Sequence, residues 1–228
     1  MSFGICAYCG ESKRTEREHA VPLNLIPDSI RKDAQFVLIP ACRDCNGSFS
    51  KDEEDFRNYC TLAGPENSAA TENFNGPVRR GIRRHEGKGS GERLFSKIQV
   101  TEHDGQPEFR IFPDETMFRI VRKIARGLVY AHWKEVIPDC RVHAETFPKL
   151  HEILDSLEDA FHQVHPSTFR YWFDRDHSGA MHSGWFFSIY RTRNFVVRVF
   201  DSEEQKTSWL AANAGEAGES ADGSIVHA

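Results

Sequence analysis

The chain has 228 residues, 39% of them hydrophobic and 17 of them Phe, enough apolar material for a folded core, which excludes a low-complexity or disordered protein. No apolar run reaches the ~18 residues of a membrane span. The N-terminus Met1-Ser2-Phe3-Gly4-Ile5-Cys6 carries neither a basic segment nor a long apolar stretch, so the sequence predicts a cytoplasmic protein without signal peptide or membrane partner. The net charge of −5 is unevenly spread, at −2 over residues 1–60, +6 over 77–134 and −7 over 135–228. A basic middle third permits a local phosphate-binding face on an otherwise acidic protein.

In chain order, residues 1–62 read as one unit containing two CxxC pairs and ending in a helix. That helix starts at Ser50, where Ser50-Lys51-Asp52-Glu53 has the capping-box pattern, and its acidic first turn suits the helix dipole. Residues 63–92, rich in Gly, Asn, Ser and Arg, read as a basic linker with a short helix near 76–85. Residues 93–201 read as an α+β region for substrate or partner binding. It opens with a hairpin over 94–112 turning at Asp104-Gly105. A helix follows over 114–135, with Met117, Ile120, Val121, Ile124, Leu128 and Ala131 on one face. A second amphipathic helix is predicted over 146–163, on Leu150, Ile153, Leu154, Leu157 and Phe161. Strands over 169–173, 185–190 and 195–200 then form a small antiparallel sheet. Residues 202–228 are polar and acidic; a short helix around Trp209 is expected, with disorder from Ala211 on.

The chemistry concentrates in the first unit. Six cysteines without a secretory signal point to a reducing compartment and to metal rather than disulfides. Cys6-Ala7-Tyr8-Cys9 and Cys42-Arg43-Asp44-Cys45 have the spacing with which one turn offers two thiolates to a zinc ion. Cys60 and Cys140 read as small hydrophobes. Between the pairs lies Glu18-His19-Ala20-Val21-Pro22, and Asn46 follows the last cysteine.

Cys-x2-Cys, Glu-His-x-x-Pro and Cys-x2-Cys-Asn followed by a helix resembles the zinc-stabilised branch of the HNH endonucleases, over residues 4–60. That resemblance implies a ββα-metal zinc finger at the head of an α+β chain. It makes Cys6, Cys9, Cys42 and Cys45 ligands of a structural zinc. Glu18 and Asn46 become ligands of a catalytic Mg²⁺ or Mn²⁺, and His19 the general base that activates water. The substrate implied is a phosphodiester, in DNA more than in RNA. A homodimer or a guiding or activating protein is also compatible with such an enzyme. Two departures stand out: Glu rather than Asp precedes the His, and Val37 occupies the position of the family's middle Asn. Glu53 matches a Glu found in the helix of one subgroup, and equally serves the capping box. Because neighbours on a regular strand face opposite ways, the pair Glu18-His19 predicts an irregularity at 17–20.

Elsewhere, Arg79, Arg80, Arg83 and Arg84, together with Arg119, Lys123 and Arg126, are the candidate nucleic-acid contacts. The last three, at i, i+4 and i+7, form one stripe on the helix over 114–135. Asp176, His177 and His182 read as turn residues rather than a second metal site. Tyr171, Trp172, Trp185 and Phe187 read as core rather than base-stacking platforms. The alternative to an enzyme is a catalytically inactive zinc-finger protein that binds nucleic acid or another partner.

Overall fold

Short strands broken by knuckle turns build the first sixty residues. Strands β1 (Ser2–Ile5), β2 (Ser12–His19) and β3 (Leu38–Cys42) form an antiparallel sheet in that order. The first CxxC pair makes the β1–β2 turn, where Cys6 N–H bonds Glu11 O at 3.0 Å and Gly10 takes φ +75°, a conformation that favours glycine. Cys42 leaves β3 extended and caps helix α1 (Arg43–Gly47), after which α2 runs Ser50–Leu62. The computed structural model describes residues 2–62, 67–83, 88–103, 106–147, 160–214 and 224–226.

The Gly-rich stretch is more helical than its composition predicts. Helix α3 (Ser68–Asn73) is capped by the Asn67 side chain, which accepts from Ala69 and Ala70 N–H. A π-helical turn over Phe74–Val78 leads into α4 (Arg79–Arg83), within the short basic helix expected there. Helix α5 (Lys88–Phe95) follows and is tied to α2 by a two-pronged Arg93–Asp55 ion pair at 2.9 Å. Tertiary ties such as Asn73 Nδ2 to Tyr190 Oη at 2.8 Å override the weak local propensity. The predicted hairpin is present as β4 (Ile98–His103) and β5 (Gln106–Ile111), starting later than expected because α5 takes Leu94 and Phe95. Its Asp104-Gly105 turn lies outside the described residues.

Helix α6 (Glu115–Trp133) is the beam of the molecule. Asp114 caps it through Met117 N–H at 3.1 Å, and Lys134 closes it with φ +60°. Met117, Ile120, Val121, Ile124 and Leu128 are fully buried, as their spacing predicts. On one side of α6 lies a five-stranded antiparallel sheet of β6 (Val142–Thr146), β7 (His162–His165), β8 (Phe169–Arg175), β9 (Ser183–Ile189) and β10 (Arg193–Val199), in the order β6-β10-β9-β8-β7. Two of its strands take the ends of the segment predicted as a helix over 146–163. Residues 148–159 of that segment lie outside the described residues. Tyr171, Trp185 and Phe187 are core, at 4%, 2% and 0% exposure, as predicted; Trp172 is half-buried.

On its other side α6 meets the zinc unit at a backbone distance. A Cβ on Gly127 would fall 2.9 Å from Ala20 Cβ and 3.1 Å from Ile39 Cδ1. One buried cluster therefore runs from Cys6 and Leu25 through α6 to Phe187 and Val197. Helix α7 (Glu203–Ala212) carries Trp209, as expected, packed on Phe200. The disorder predicted from Ala211 is corrected at Ser224–Val226, which pairs with β5 as a third strand, β11. Cys60 is buried, whereas Cys140 is exposed and so is not the core hydrophobe its type predicts. No described helix is long and apolar enough to cross a membrane.

Candidate functional site

The β1–β2 turn and the β3–α1 junction bring Cys6, Cys9, Cys42 and Cys45 together, with all ligand atoms within 4.8 Å of one another and Cys9 Sγ 4.0 Å from Cys42 Sγ. Tetrahedral zinc with bonds of about 2.3 Å sets its sulfurs about 3.8 Å apart, so the cluster fits a zinc ion. Backbone N–H groups converge on the same atoms: Cys42 N–H lies 3.3 Å from Cys6 Sγ. Against burial, which pushes the thiol up, the N–H groups of Cys9, Cys42 and Tyr8 bring Cys6 down to about 7. A thiol that deprotonates near neutrality is ready to bind metal. Among the described residues this is the grouping of His, Cys and carboxylate side chains with metal-binding geometry.

Glu18 and His19 end β2. The β2–β3 ladder is regular from Thr15↔Cys42 to His19↔Leu38, and the strand stops there. The predicted irregularity is thus a termination rather than a bulge, although burial along β2 already breaks its alternation, with Thr15 and Glu18 the buried pair. The two neighbours meet different groups. Glu18 Oε1 accepts from Lys123 Nζ at 2.6 Å, while the His19 ring packs edge-on against Phe36 at 5.0 Å. Burial lowers the His19 pKa; Glu18 opposes this, while Lys123 and Arg31 add to it. Burial thereby favours the neutral imidazole, the form that accepts a proton. Val37, which stands where the family has an Asn, ties the loop by its main chain, its carbonyl accepting from Ala20 N–H at 2.9 Å.

The sequence offers Lys123 as a nucleic-acid contact in a basic stripe, and its complete burial in the structure corrects this. The whole stripe faces the zinc unit. Arg119 pairs with Asp52 and lies over the Phe49 ring. Lys123, with no exposed surface, bridges Glu18 and Glu53 and lies 3.5 Å from His19 O. Arg126 donates to Tyr8 O at 2.6 Å and Ile137 O at 2.7 Å. Carboxylates and spare carbonyls on the zinc unit, set against a helix face opened by Gly127, draw these cations inward. Arg79, Arg80 and Arg83 do lie exposed on α4, while Arg84 lies outside the described residues.

Helix α2 already includes Ser50, the predicted N-cap, with Glu53 N–H bonding Phe49 O at 2.8 Å; the Glu53 side chain meets Lys123, and burial raises its pKa while Lys123 opposes the rise. Tyr8, in the first CxxC turn, is 3% exposed, its hydroxyl has no hydrogen-bond partner among the described residues, and its ring lies 5.8 Å from Lys123 Nζ. Sequence reasoning missed Lys123 and Tyr8 as members of this site. The available signal was a Lys one helical turn before a mid-helix Gly. The second carboxylate oxygen of Glu18 and the Asn46 side chain carry no hydrogen bond among the described residues. Oxygen donors of this kind fit a hard cation. Asp176 instead caps its own turn, accepting from Ser178 and Met181 N–H, in line with the turn-residue reading, whereas His182 is buried and pairs with Glu135 at 2.9 Å. No protein-family model, no curated protein and no solved structure matches this chain.

Proposed function

We propose that the chain is a metal-dependent endonuclease of the HNH type, hydrolysing phosphodiester bonds in DNA more readily than in RNA. The observation that carries this reading is His19. It is an imidazole packed against Phe36, its pKa lowered by burial, at the end of a strand whose other end is pinned to the four-cysteine cluster. His19 accepts the proton of the attacking water. Glu18 and Asn46 would hold Mg²⁺ or Mn²⁺, and such an ion supplies charge stabilisation to the phosphate oxygens. Arg79, Arg80 and Arg83 offer an exposed basic surface for the backbone flanking the cut.

A nicking assay on supercoiled plasmid with Mg²⁺ or Mn²⁺ tests the reading. Wild type should cut, and His19→Ala should lose about 10²–10⁴-fold, the usual contribution of a general base. Cutting that survives His19→Ala sinks the mechanism. One observation favours the second reading, a binding module without catalysis: the Glu18–Glu53 pair already holds a buried cation, Lys123. In that case the intact chain retains DNA, cuts nothing, and takes up no second metal beside zinc.

A further inference from the structure

The buried ammonium of Lys123 stands where two carboxylates from different elements converge, Glu18 from β2 and Glu53 from α2. It reaches them from α6, across 105 residues of chain to Glu18 and 70 to Glu53. Its surroundings form a closed box: the two carboxylates, the His19 carbonyl at 3.5 Å, and the rings of Tyr8 and Phe49 at 5.8 and 5.4 Å. Two carboxylates against one ammonium leave an excess of negative charge when all three are ionised, which repels a phosphodiester. Adding a divalent ion reverses that sign. A lysine this deep, with no exposed surface, persists only where paired, and removing it would leave the buried Glu18 and half-buried Glu53 carboxylates facing each other.

We propose that Lys123 is the built-in counter-ion of this site, a positioning residue that holds the Glu18 and Glu53 carboxylates side by side and sets how tightly a divalent cation binds beside them. The inference rests on the metal-site part of the nuclease reading but not on turnover. Through Lys123 the second half of the chain controls the charge of a site built by the first. The close approach at Gly127 is what lets the short lysine stem reach it, four residues and one turn earlier on the same helix.

The test is a titration of the zinc-loaded full chain with Mn²⁺, followed by calorimetry or by the loss of free-Mn²⁺ electron spin resonance. Lys123→Met, which keeps the length and removes the charge, should bind Mn²⁺ at least about ten-fold more tightly than wild type, since one unit charge a few ångströms away acts on that scale. Its melting temperature without Mn²⁺ should fall and recover when Mn²⁺ is added. Lys123→Arg should keep the wild-type affinity. A purely structural lysine would move the melting temperature and leave Mn²⁺ affinity alone. Unchanged or weaker Mn²⁺ binding by Lys123→Met overturns the proposal, as does the absence of Mn²⁺ uptake by both proteins. Should Lys123→Met fail to fold, Glu53→Gln replaces it. That change leaves the ammonium to Glu18 alone and should weaken Mn²⁺ binding, and unchanged affinity again overturns the idea. Plasmid nicking that survives His19→Ala defeats the nuclease reading without touching this titration, so the two failures are distinguishable.

Discussion

The zinc unit and the five-stranded sheet are held by opposite means, although α6 packs on both. The zinc unit gathers cysteines, carboxylates and spare carbonyls, and its polar contacts with α6 are made by Arg119, Lys123 and Arg126. The sheet gathers rings: Phe173 and Trp185 stack at 4.7 Å, and His132 and Trp133, at the other end of α6, join them. The first arrangement is directional and is built around a four-cysteine cluster that could hold an ion. The second is apolar burial and depends on shape. Residues that need to hold a metal or a proton belong in the first kind of structure, where charge is already paired and positioned.

Stripping zinc is the widest break between the two regions. Structural zinc supplies apparent free energy of roughly 10–16 kcal/mol in small zinc units. Chelation, or Cys42→Ser, should therefore melt residues 2–62 while amides of β8, β9 and β10 keep their protection in hydrogen exchange. Persistent protection of β2 and β3 in zinc-free protein would remove the zinc from the account. Trp185→Ala is the mirror experiment. At 2% exposure, with ring neighbours on several sides, its loss should cost about 3–5 kcal/mol in denaturant unfolding. Zinc content should stay intact in that variant, and loss of zinc would mean that the two regions are not separable in this way.

The two CxxC pairs were legible at once, because their spacing answers to one ion and hardly to anything else. The apolar face of α6 was equally legible, since five buried positions repeat at helical spacing. Its basic face was not. A stripe of Arg119, Lys123 and Arg126 looks the same in sequence whether it meets water or a wall of carbonyls. Only the fold brings up Ser48, Glu18 and Tyr8 to decide it. Glu53 was ambiguous for a similar reason, since one carboxylate suits both a cap and an ion pair. The helices α3 and α5 were hidden by glycine-rich composition and are held by long-range partners such as Asp55 and Tyr190. Strand β11 was hidden because three residues in an acidic tail have no pattern until β5 offers them an edge.

Gly127→Ala sharpens the comparison at the seam itself. In an exposed helix this change stabilises by up to about 1 kcal/mol. Here the new methyl meets Ala20 at 2.9 Å from its Cβ and 3.2 Å from its Cα, a backbone atom with little room to yield, and the Ile39 side chain at 3.1 Å. The variant should lose about 1–3 kcal/mol instead, the usual range for overpacking. The displacement should fall on the Lys123 contacts and spare the sheet, visible as faster exchange in β2 and unchanged exchange in β9. A gain in stability would show that α6 and the zinc unit are not in backbone contact.

The smallest effect lies at the sheet's own edge, where charge rather than rings holds a strand. The His143 imidazole beside Glu145, together with the Arg198 guanidinium, brings the Glu145 carboxyl down from 4.5 to about 2, against burial that would raise it. A depressed carboxylate pKa contributes stability that is fully present above the unfolded value and is lost as pH falls through the folded one. For Glu145 that window runs from about pH 4.5 down to about 2. The pair is about a third exposed, so solvent screens it and its contribution is small. Glu145→Gln should therefore leave the neutral-pH melting temperature nearly unchanged and flatten its fall over that acid window. The same flattening in 1 M salt on wild type would show the interaction to be electrostatic, since salt reaches a strand edge far better than it reaches Lys123. If the acid limb of Glu145→Gln superimposes on that of wild type, the edge of the sheet is held by its backbone ladder to β10 alone.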